Sequence, residues 1–391
     1  MAFFLTKIKV AMDQPAKVVK PFLEYDQLVK KLSERGMLLH NPLRAQRKLT
    51  QVGYYRLSGY WSPALKYKYI APGNYEKLNE FKENTSFESI FDFYLFDKKL
   101  RLELMCAIER IEVYLRTIIA HELGRHNPLA YLDKKNFSKF ALIPDDGKTL
   151  SDFESWQNKH ESLLKESREE SIKSHIEMGK PIPIWVACEA WNFGTVSKLY
   201  SMLNGANQKL ICDRLGIDNR QVIDNWLINI NGIRNRCAHH SRVCNRPNIR
   251  TLMLPKLGFF NTLKLGSAEL NKLYGFICVL WFLVSKIGQS SNWICRIADL
   301  VDNMPKAAGL NFKSMGFGEG GFPRKLFPQT DKKPSPAKSI EQMPLLDDLF
   351  KKVELISAQD ISIESFDVTD QHIEKLIELA MKLESIKKAD S

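Results

Sequence analysis

From Ser86 to His121 the chain reads SFESIFDFYLFDKKLRLELMCAIERIEVYLRTIIAH. Phe87, Ile90, Phe91, Tyr94, Leu95, Leu102, Met105, Ile108, Ile111, Leu115 and Ile118 recur at threes and fours, the period of a helix that buries one face. Ser86 offers an N-cap oxygen and Gly124 a stop. So long a pattern predicts the scaffold helix of an all-α domain. Glu109, Arg110, Glu112 and Arg116 are expected to pair along its surface, with Arg110 or Arg116 able to turn toward a basic site.

Outward from this helix the signals remain helical. Residues 1–20 read as a basic arm without a defined element. A helix is expected from Glu24 to Arg35, ended by Gly36, and another opens at Asn41-Pro42, a cap followed by proline in the first turn. Gly53-Tyr54-Tyr55-Arg56-Leu57-Ser58-Gly59-Tyr60-Trp61 reads either as an aromatic mini-core or as a surface on which RNA bases stack, with Arg56 on a phosphate. Residues 125–180 look like an insertion whose charged helical part, Ser151 to Met178, need not enter the core. A buried helix is expected from Ile184 through Gly194 to Leu203. Asp218 or Asn219 caps the next, with Val222, Ile223, Trp226, Leu227 and Ile230 inward. Helices follow at Ala268–Ile287 and Trp293–Val301. The segment 303–322 is Gly-rich without phosphate-loop spacing. Lys332-Lys333-Pro334-Ser335-Pro336 reads as a linker, and Leu345–Leu355 and Thr369–Lys387 as amphipathic helices. No alternation of apolar residues is long enough to demand a sheet. The expected organisation is an N-terminal helical and aromatic segment (1–80), a helical domain (81–325, insertion 125–180), a linker (326–340) and a helical tail (341–391).

Composition narrows the partners. The chain has 57 Lys+Arg against 45 Asp+Glu, a net of +12. Residues 331–391 hold 9 basic and 13 acidic side chains, so the rest carries +16. A charge placed this way favours nucleic acid or an anionic membrane as partner of the body, not of the tail. Seven scattered cysteines form no disulfide framework, which fits a reducing cytoplasm. Lys7, Lys9 and Asp13 interrupt the N-terminal apolar residues too early for a signal peptide, and the run Leu273–Val284 is too short to span a bilayer, so no membrane partner is expected.

The charge concentrates at Ile233-Arg234-Asn235-Arg236-Cys237-Ala238-His239-His240-Ser241-Arg242-Val243-Cys244-Asn245-Arg246. No carboxylate occurs between Asp224 and Glu269, a gap of 44 residues. A solvated face mixes signs, whereas clustered arginine without acids is the footprint expected under a polyanion. Histidine exchanges protons near neutral pH. Together these residues point to chemistry on a phosphodiester.

The run Arg234-Asn235-x-x-x-His239 resembles the R-N-x-x-x-H signature of the HEPN superfamily of ribonucleases. The longer string Arg234 to Arg242 resembles that of the Abi-like (abortive-infection, AbiD/AbiF-type) bacterial proteins. Three further strings match that family in order: Gly53–Tyr60, Ile108–Arg116 and Pro183–Leu199. Asn192-Phe193 stands where Ser-Phe is the family pattern. The resemblance spans about residues 20 to 325 and leaves the tail outside. It implies a HEPN-like helical bundle, a metal-independent endoribonuclease without cofactor, a homodimer, and a role in phage defence or toxin–antitoxin systems. A non-coding RNA partner is also implied.

The residues support a mechanism of their own. Cleaving RNA without a metal needs a base for the 2′-OH, an acid for the leaving 5′-oxygen, and positive charge on the phosphate. His239 suits the first two roles and Arg234 the third. Asn235 lies one helical turn from His239, about 40° around the axis, where it can orient the ring. Arg234 lies five residues from His239, about 140° away, so one regular helix does not aim both at one atom. Either the helix starts or bends here, or a second copy completes the site, and a symmetric pair would supply two copies of His239 as acid and base. Arg236, His240, Arg242, Arg246, Arg56 and Tyr55 are the candidate RNA contacts. Cys237, His240 and Cys244 lack the usual zinc spacing. His121, His126, His160 and His175 read as surface groups. The rival readings are a non-catalytic binder of structured RNA on the same surface, and a metal-dependent nuclease drawing carboxylates from Glu109, Glu112 or Glu189.

Overall fold

The computed structural model describes residues 19–288 and 291–327, within one compact unit that is mainly helical. The basic arm up to residue 18, the linker and the two tail helices lie outside the described residues.

Helix α1 (Tyr25–Glu34) ends at Arg35, followed by Gly36 with φ 86°. Helix α2 (Pro42–Val52) starts under Asn41, whose side chain accepts from the Arg44 N–H at 2.8 Å. Gly53 then adopts φ 88°, a turn a side chain would resist, and α3 (Tyr54–Trp61) leaves in a new direction. The aromatic mini-core reading holds for one face of α3. Leu57, Tyr60 and Trp61 are buried, while Tyr55 is 72% exposed and Arg56 lies at the surface.

An antiparallel hairpin follows, β1 (Leu65–Ala71) with β2 (Asn74–Phe81), contrary to the expectation that no sheet forms. Its alternation is Lys-Tyr-Lys-Tyr, which an apolar count passes over. Only the ends, Leu65 and Phe81, are buried, so the hairpin is held by its ladder and by cross-strand pairs such as Tyr69 with Tyr75.

The scaffold helix α4 (Phe87–Gly124) has 38 residues, about 57 Å at the usual rise. Ser86 caps it by accepting from the Ser89 N–H. Its burial differs from the expected stripe. Leu95 and Leu102 are exposed, while Asp97 and Arg101 are buried at positions where a stripe of pure hydrocarbon was expected. Gly124 is the last residue of the helix, with Arg125 as its C-cap, and packing explains the glycine: a Cβ there would meet Cγ2 of Ile184 at 2.9 Å. Arg116 pairs with Glu112 as expected, and Arg110 donates to Ser291.

The charged helical part of residues 125–180, which the sequence did not require to be core, buries several side chains. Helix α5 (Asp152–Glu166) opens on a Ser151–Glu154 capping box and buries Phe153, Trp156 and His160; α6 (Glu170–Glu177) buries Ile172. His160, expected at the surface, stacks on Trp156 and accepts the Trp191 indole N–H at 2.9 Å. Burial without a countercharge pushes its pKa down to about 4. The segment 184–203 is also not one helix. It is α7 (Ile184–Ala187), a single 3-10 turn, and α8 (Phe193–Met202), restarted by the Asn192 cap.

Helix α9 (Gly205–Leu215) precedes α10 (Arg220–Ala238), which Asn219 caps. The chain then forms α11 (Gly258–Leu263), α12 (Ser267–Leu270), α13 (Leu273–Ile287), α14 (Trp293–Asp302) and α15 (Phe312–Met315). The single helix expected over 268–287 is therefore broken at Asn271-Lys272. Helices α3, α7, α8, α9, α10, α13 and α14 all pack on α4, which is the axis of the core. Among the described residues no helix is long and apolar enough to cross a membrane.

Candidate phosphodiester site

Helix α10 sorts the motif by rotation. Val222, Ile223, Trp226, Ile230, Ile233 and Cys237 recur at threes and fours and are buried, which turns Asn235 and His239 to solvent. Arg234 sits between the two faces and is half-buried. Its Nε is shielded from water and has no hydrogen-bond partner among the described residues. The helix neither starts nor bends at the motif; it runs regularly to Ala238. Arg234 and His239 of one chain therefore leave the helix in different directions.

The helix ends in a Schellman arrangement. The His240 N–H bonds to the Cys237 carbonyl at 3.0 Å, and the Ser241 N–H to that of Arg236 at 2.8 Å. His240 occupies the left-handed position with φ 55°, where glycine is usual. The rest of the structure must hold that strained turn. Arg56 of α3 does so by donating to the His240 carbonyl at 3.0 Å, and Arg242 reaches back to the Gly59 carbonyl at 2.6 Å.

The main anchor of the turn comes from α4. Asp97, fully buried, accepts the N–H groups of Val243 and Cys244 on one oxygen, at 2.9 and 2.8 Å. Its other oxygen accepts from the Tyr60 hydroxyl at 2.9 Å and from Arg101. Burial disfavours the Arg101 charge, but Asp97 and then Tyr60 outweigh it and the guanidinium pKa rises. This buried network was missed in the sequence. Its signal was present: an acid and a base four apart, at stripe positions of a helix otherwise lined with Ile, Phe and Leu.

The predicted RNA contacts divide. Arg236 donates to the Pro247 carbonyl at 2.7 Å, so Arg56, Arg236 and Arg242 each hold a backbone carbonyl. Burial, and next the nearby charge of Arg246, lower the pKa of both Arg236 and Arg242. Three cations thus crowd one another with no carboxylate from 225 to 268. Arg246, His240 and Tyr55 are exposed. The Arg56–His240 bond brings the start of α3, with Tyr55, to the motif turn.

Cys237 and Cys244 are buried, and burial, then Asp97, raises both thiols, Cys237 to about 12. They are inert at neutral pH. Among the described residues no group of three or more His, Cys, Asp or Glu side chains is placed to hold a metal ion.

Beyond the motif, α10 racks the segment 248–253 along its side. Asn229 accepts from the Arg250 N–H, Asn225 accepts from the Met253 N–H and donates to the Thr251 carbonyl, and Trp226 donates to the Met253 carbonyl.

Residues 47–245, from α2 to the end of the motif, match the family described as Abi-like protein. No curated protein and no solved structure matches the chain.

Proposed function

This chain belongs to the Abi-like family, and we propose that it is a HEPN-type, metal-independent endoribonuclease acting in abortive-infection phage defence or as a toxin. Membership suggests the defence role. The chemistry is inferred from the site. One observation carries it: His239 and Asn235 stand on the solvent face at the end of α10, beside crowded arginines, with the buried Asp97, paired to Arg101, as the acid that reaches the turn.

In this reading one His239 takes the 2′-OH proton, the 2′-oxygen attacks phosphorus, and the 5′-oxygen leaves. A second His239, protonated, donates to that oxygen, and a 2′,3′-cyclic phosphate remains. Arg234 neutralises the crowded phosphate, and Asn235 orients the imidazole one turn away. Because α10 is regular to Ala238, Arg234 and His239 of one chain point about 140° apart. A homodimer with the two α10 ends facing each other supplies the missing partners. The 2′-OH requirement makes DNA a poor substrate.

The same divergence favours a second reading if the chain acts alone: a surface that holds structured RNA without cutting it. RNA breakdown in excess chelator separates the two. Wild type is expected to cleave, with cleavage lost in His239→Ala and in Arg234→Ala while RNA binding persists in the His239 variant. Equal rates in wild type and His239→Ala, or no cleavage at all, would leave only the binder.

A further inference from the structure

The motif opens onto a cleft that the proposed chemistry does not use. It holds about 500 Å³ and is bordered by Asn245, Arg246, Thr251, Ser267, Asn271 and Lys272. Two cations stand on its border and no carboxylate lines it. The remaining groups are hydroxyls and amides, which read neutral polar edges.

Its position is fixed by bonds already described. Pro247, also on its wall, accepts from Arg236, one residue from Asn235. Arg246 lies close enough to Arg236 and Arg242 to depress both. The far wall is tied to the near one: the Asn248 N–H bonds to the Asn271 carbonyl, and its side chain donates to Leu270 and Lys272 carbonyls. Lys272 is braced by donating to the Lys313 carbonyl at 2.9 Å, which leaves further N–H groups on the same ammonium. Thr251 leans on the Asn271 amide oxygen at 3.4 Å, so the Asn271 NH₂ is the donor left to present. The walls are thus set by backbone bonds before any ligand arrives. The volume is of the size that small-molecule sites use.

We infer that this cleft receives one nucleotide of single-stranded RNA next to the scissile phosphate. This rests on the ribonuclease or RNA-binding reading of the motif and names where that RNA goes. Arg246 meets the phosphate between the two positions. Thr251, Ser267 and Asn271 meet the base and ribose edges, and Lys272 meets the following phosphate. The strand therefore runs from the His239 face over Arg246 and toward α12. Base preference, where the protein has one, is set at Asn271, outside the R-N-x-x-x-H motif.

The test uses the full chain carrying His239→Ala, which binds without cutting. Fluorescein-labelled oligoribonucleotides of A, U or C are titrated by fluorescence anisotropy. Ala268→Trp fills the cleft from its wall, and Asn271→Ala removes the amide; circular dichroism checks the fold of each. Both are expected to weaken binding by about tenfold, the amide change unequally among the three bases. If Ala268→Trp fails to fold, Asn271→Ala alone decides the outcome. Affinities within twofold of the parent, while Arg246→Ala still weakens binding, overturn the cleft assignment and leave the RNA reading standing. No binding by the parent overturns both. A polyglutamate peptide that binds as tightly, and is lost by the same variants, makes the cleft a docking surface for acidic protein and overturns the inference.

Discussion

Replacing Asp97 with alanine is the most severe single change the structure identifies near the motif. The carboxylate is 0% exposed and takes four donors: two backbone N–H groups of the motif turn, the Tyr60 hydroxyl and Arg101. Its removal leaves the Arg101 guanidinium buried, 6% exposed, without its countercharge. Breaking a buried pair in this way costs about 3–5 kcal/mol. The N–H groups of Val243 and Cys244 lose their acceptor too, at about 1–3 kcal/mol each where water cannot reach them. These losses share one site and do not add in full. A loss of at least about 4 kcal/mol is expected, a large part of the roughly 5–15 kcal/mol that holds an ordinary domain. Urea unfolding at pH 7 measures it. Asp97→Asn keeps an acceptor for the two N–H groups of the turn but loses the charge and puts an NH₂ where the Tyr60 hydroxyl and Arg101 had their acceptor; with the turn still held, it should lose less than alanine. Adding Arg101→Leu to Asp97→Asn removes the stranded cation and should recover about 2 kcal/mol or more relative to Asp97→Asn alone. Amide exchange at Val243 and Cys244 should quicken in the alanine variant and stay slow in the double variant. An alanine variant within about 1 kcal/mol of wild type would refute the anchor, because a desolvated guanidinium cannot be that cheap to strand.

Three further outcomes follow from the geometry. The neutral form of His160 is favoured in the fold, with a pKa near 4 against the ordinary 6.5. Its contribution is therefore complete above about pH 6.5 and is lost as pH falls toward 4, about 3 kcal/mol across that window. His160→Phe should flatten the urea-midpoint curve over that range, and parallel curves for the two proteins would refute it. Gly275→Ala places a Cβ 2.7 Å from the Glu269 backbone carbonyl, so a loss of about 1–3 kcal/mol is expected despite the better helix propensity, read as a lowered melting temperature. Asn229→Leu strips the Arg250 N–H of its acceptor and should cost about 2 kcal/mol, with faster amide exchange at Arg250; unchanged exchange would show that Asn229 does not hold the segment.

The elements legible in the sequence are those with a strong local cause. The Asn41 and Ser86 caps, the period of α4 and the inward stripe of α10 each follow from residues within a few positions of one another. What was missed depends on distant partners. His160 looks like a surface histidine until Trp156 and Trp191 are folded over it. The hairpin buries only Leu65 and Phe81 at its ends, so no apolar alternation announces it. The segment 184–203 has helical composition throughout, yet Asn192 restarts it, because a side chain that bonds the backbone ahead of it caps a new helix as readily as it sits within one.

The charge pattern around the motif shows most clearly how far local reading reaches. The absence of acids from 225 to 268 was read as a site for a polyanion. The fold nevertheless brings a carboxylate to within 2.8 Å of that stretch, from Asp97, nearly 150 residues earlier. That acid does not cancel the basic surface, because Arg101 comes with it from the same helix and the pair is neutral. The arrangement separates two requirements that a local acid would set against each other. The motif turn needs an anion to gather its N–H groups, and the face proposed to meet phosphate needs none. Supplying the anion from beneath, with its own countercharge, holds the strained turn at His240 in place; Asp97 acts on Arg242, but burial and Arg246 outweigh it there and the guanidinium pKa stays lowered. Electrostatic fit to RNA and rigidity of the turn are therefore separable by mutation. Arg246→Ala should weaken RNA binding and reduce its salt dependence without changing stability, whereas Asp97→Asn should lower stability, and Asp97→Asn with Arg101→Leu, which removes both buried charges together, should leave the salt dependence of RNA binding unchanged. Titrations of labelled RNA at two salt concentrations on these variants measure this. An altered salt slope in the double variant would mean that the buried pair does contribute to the outer field.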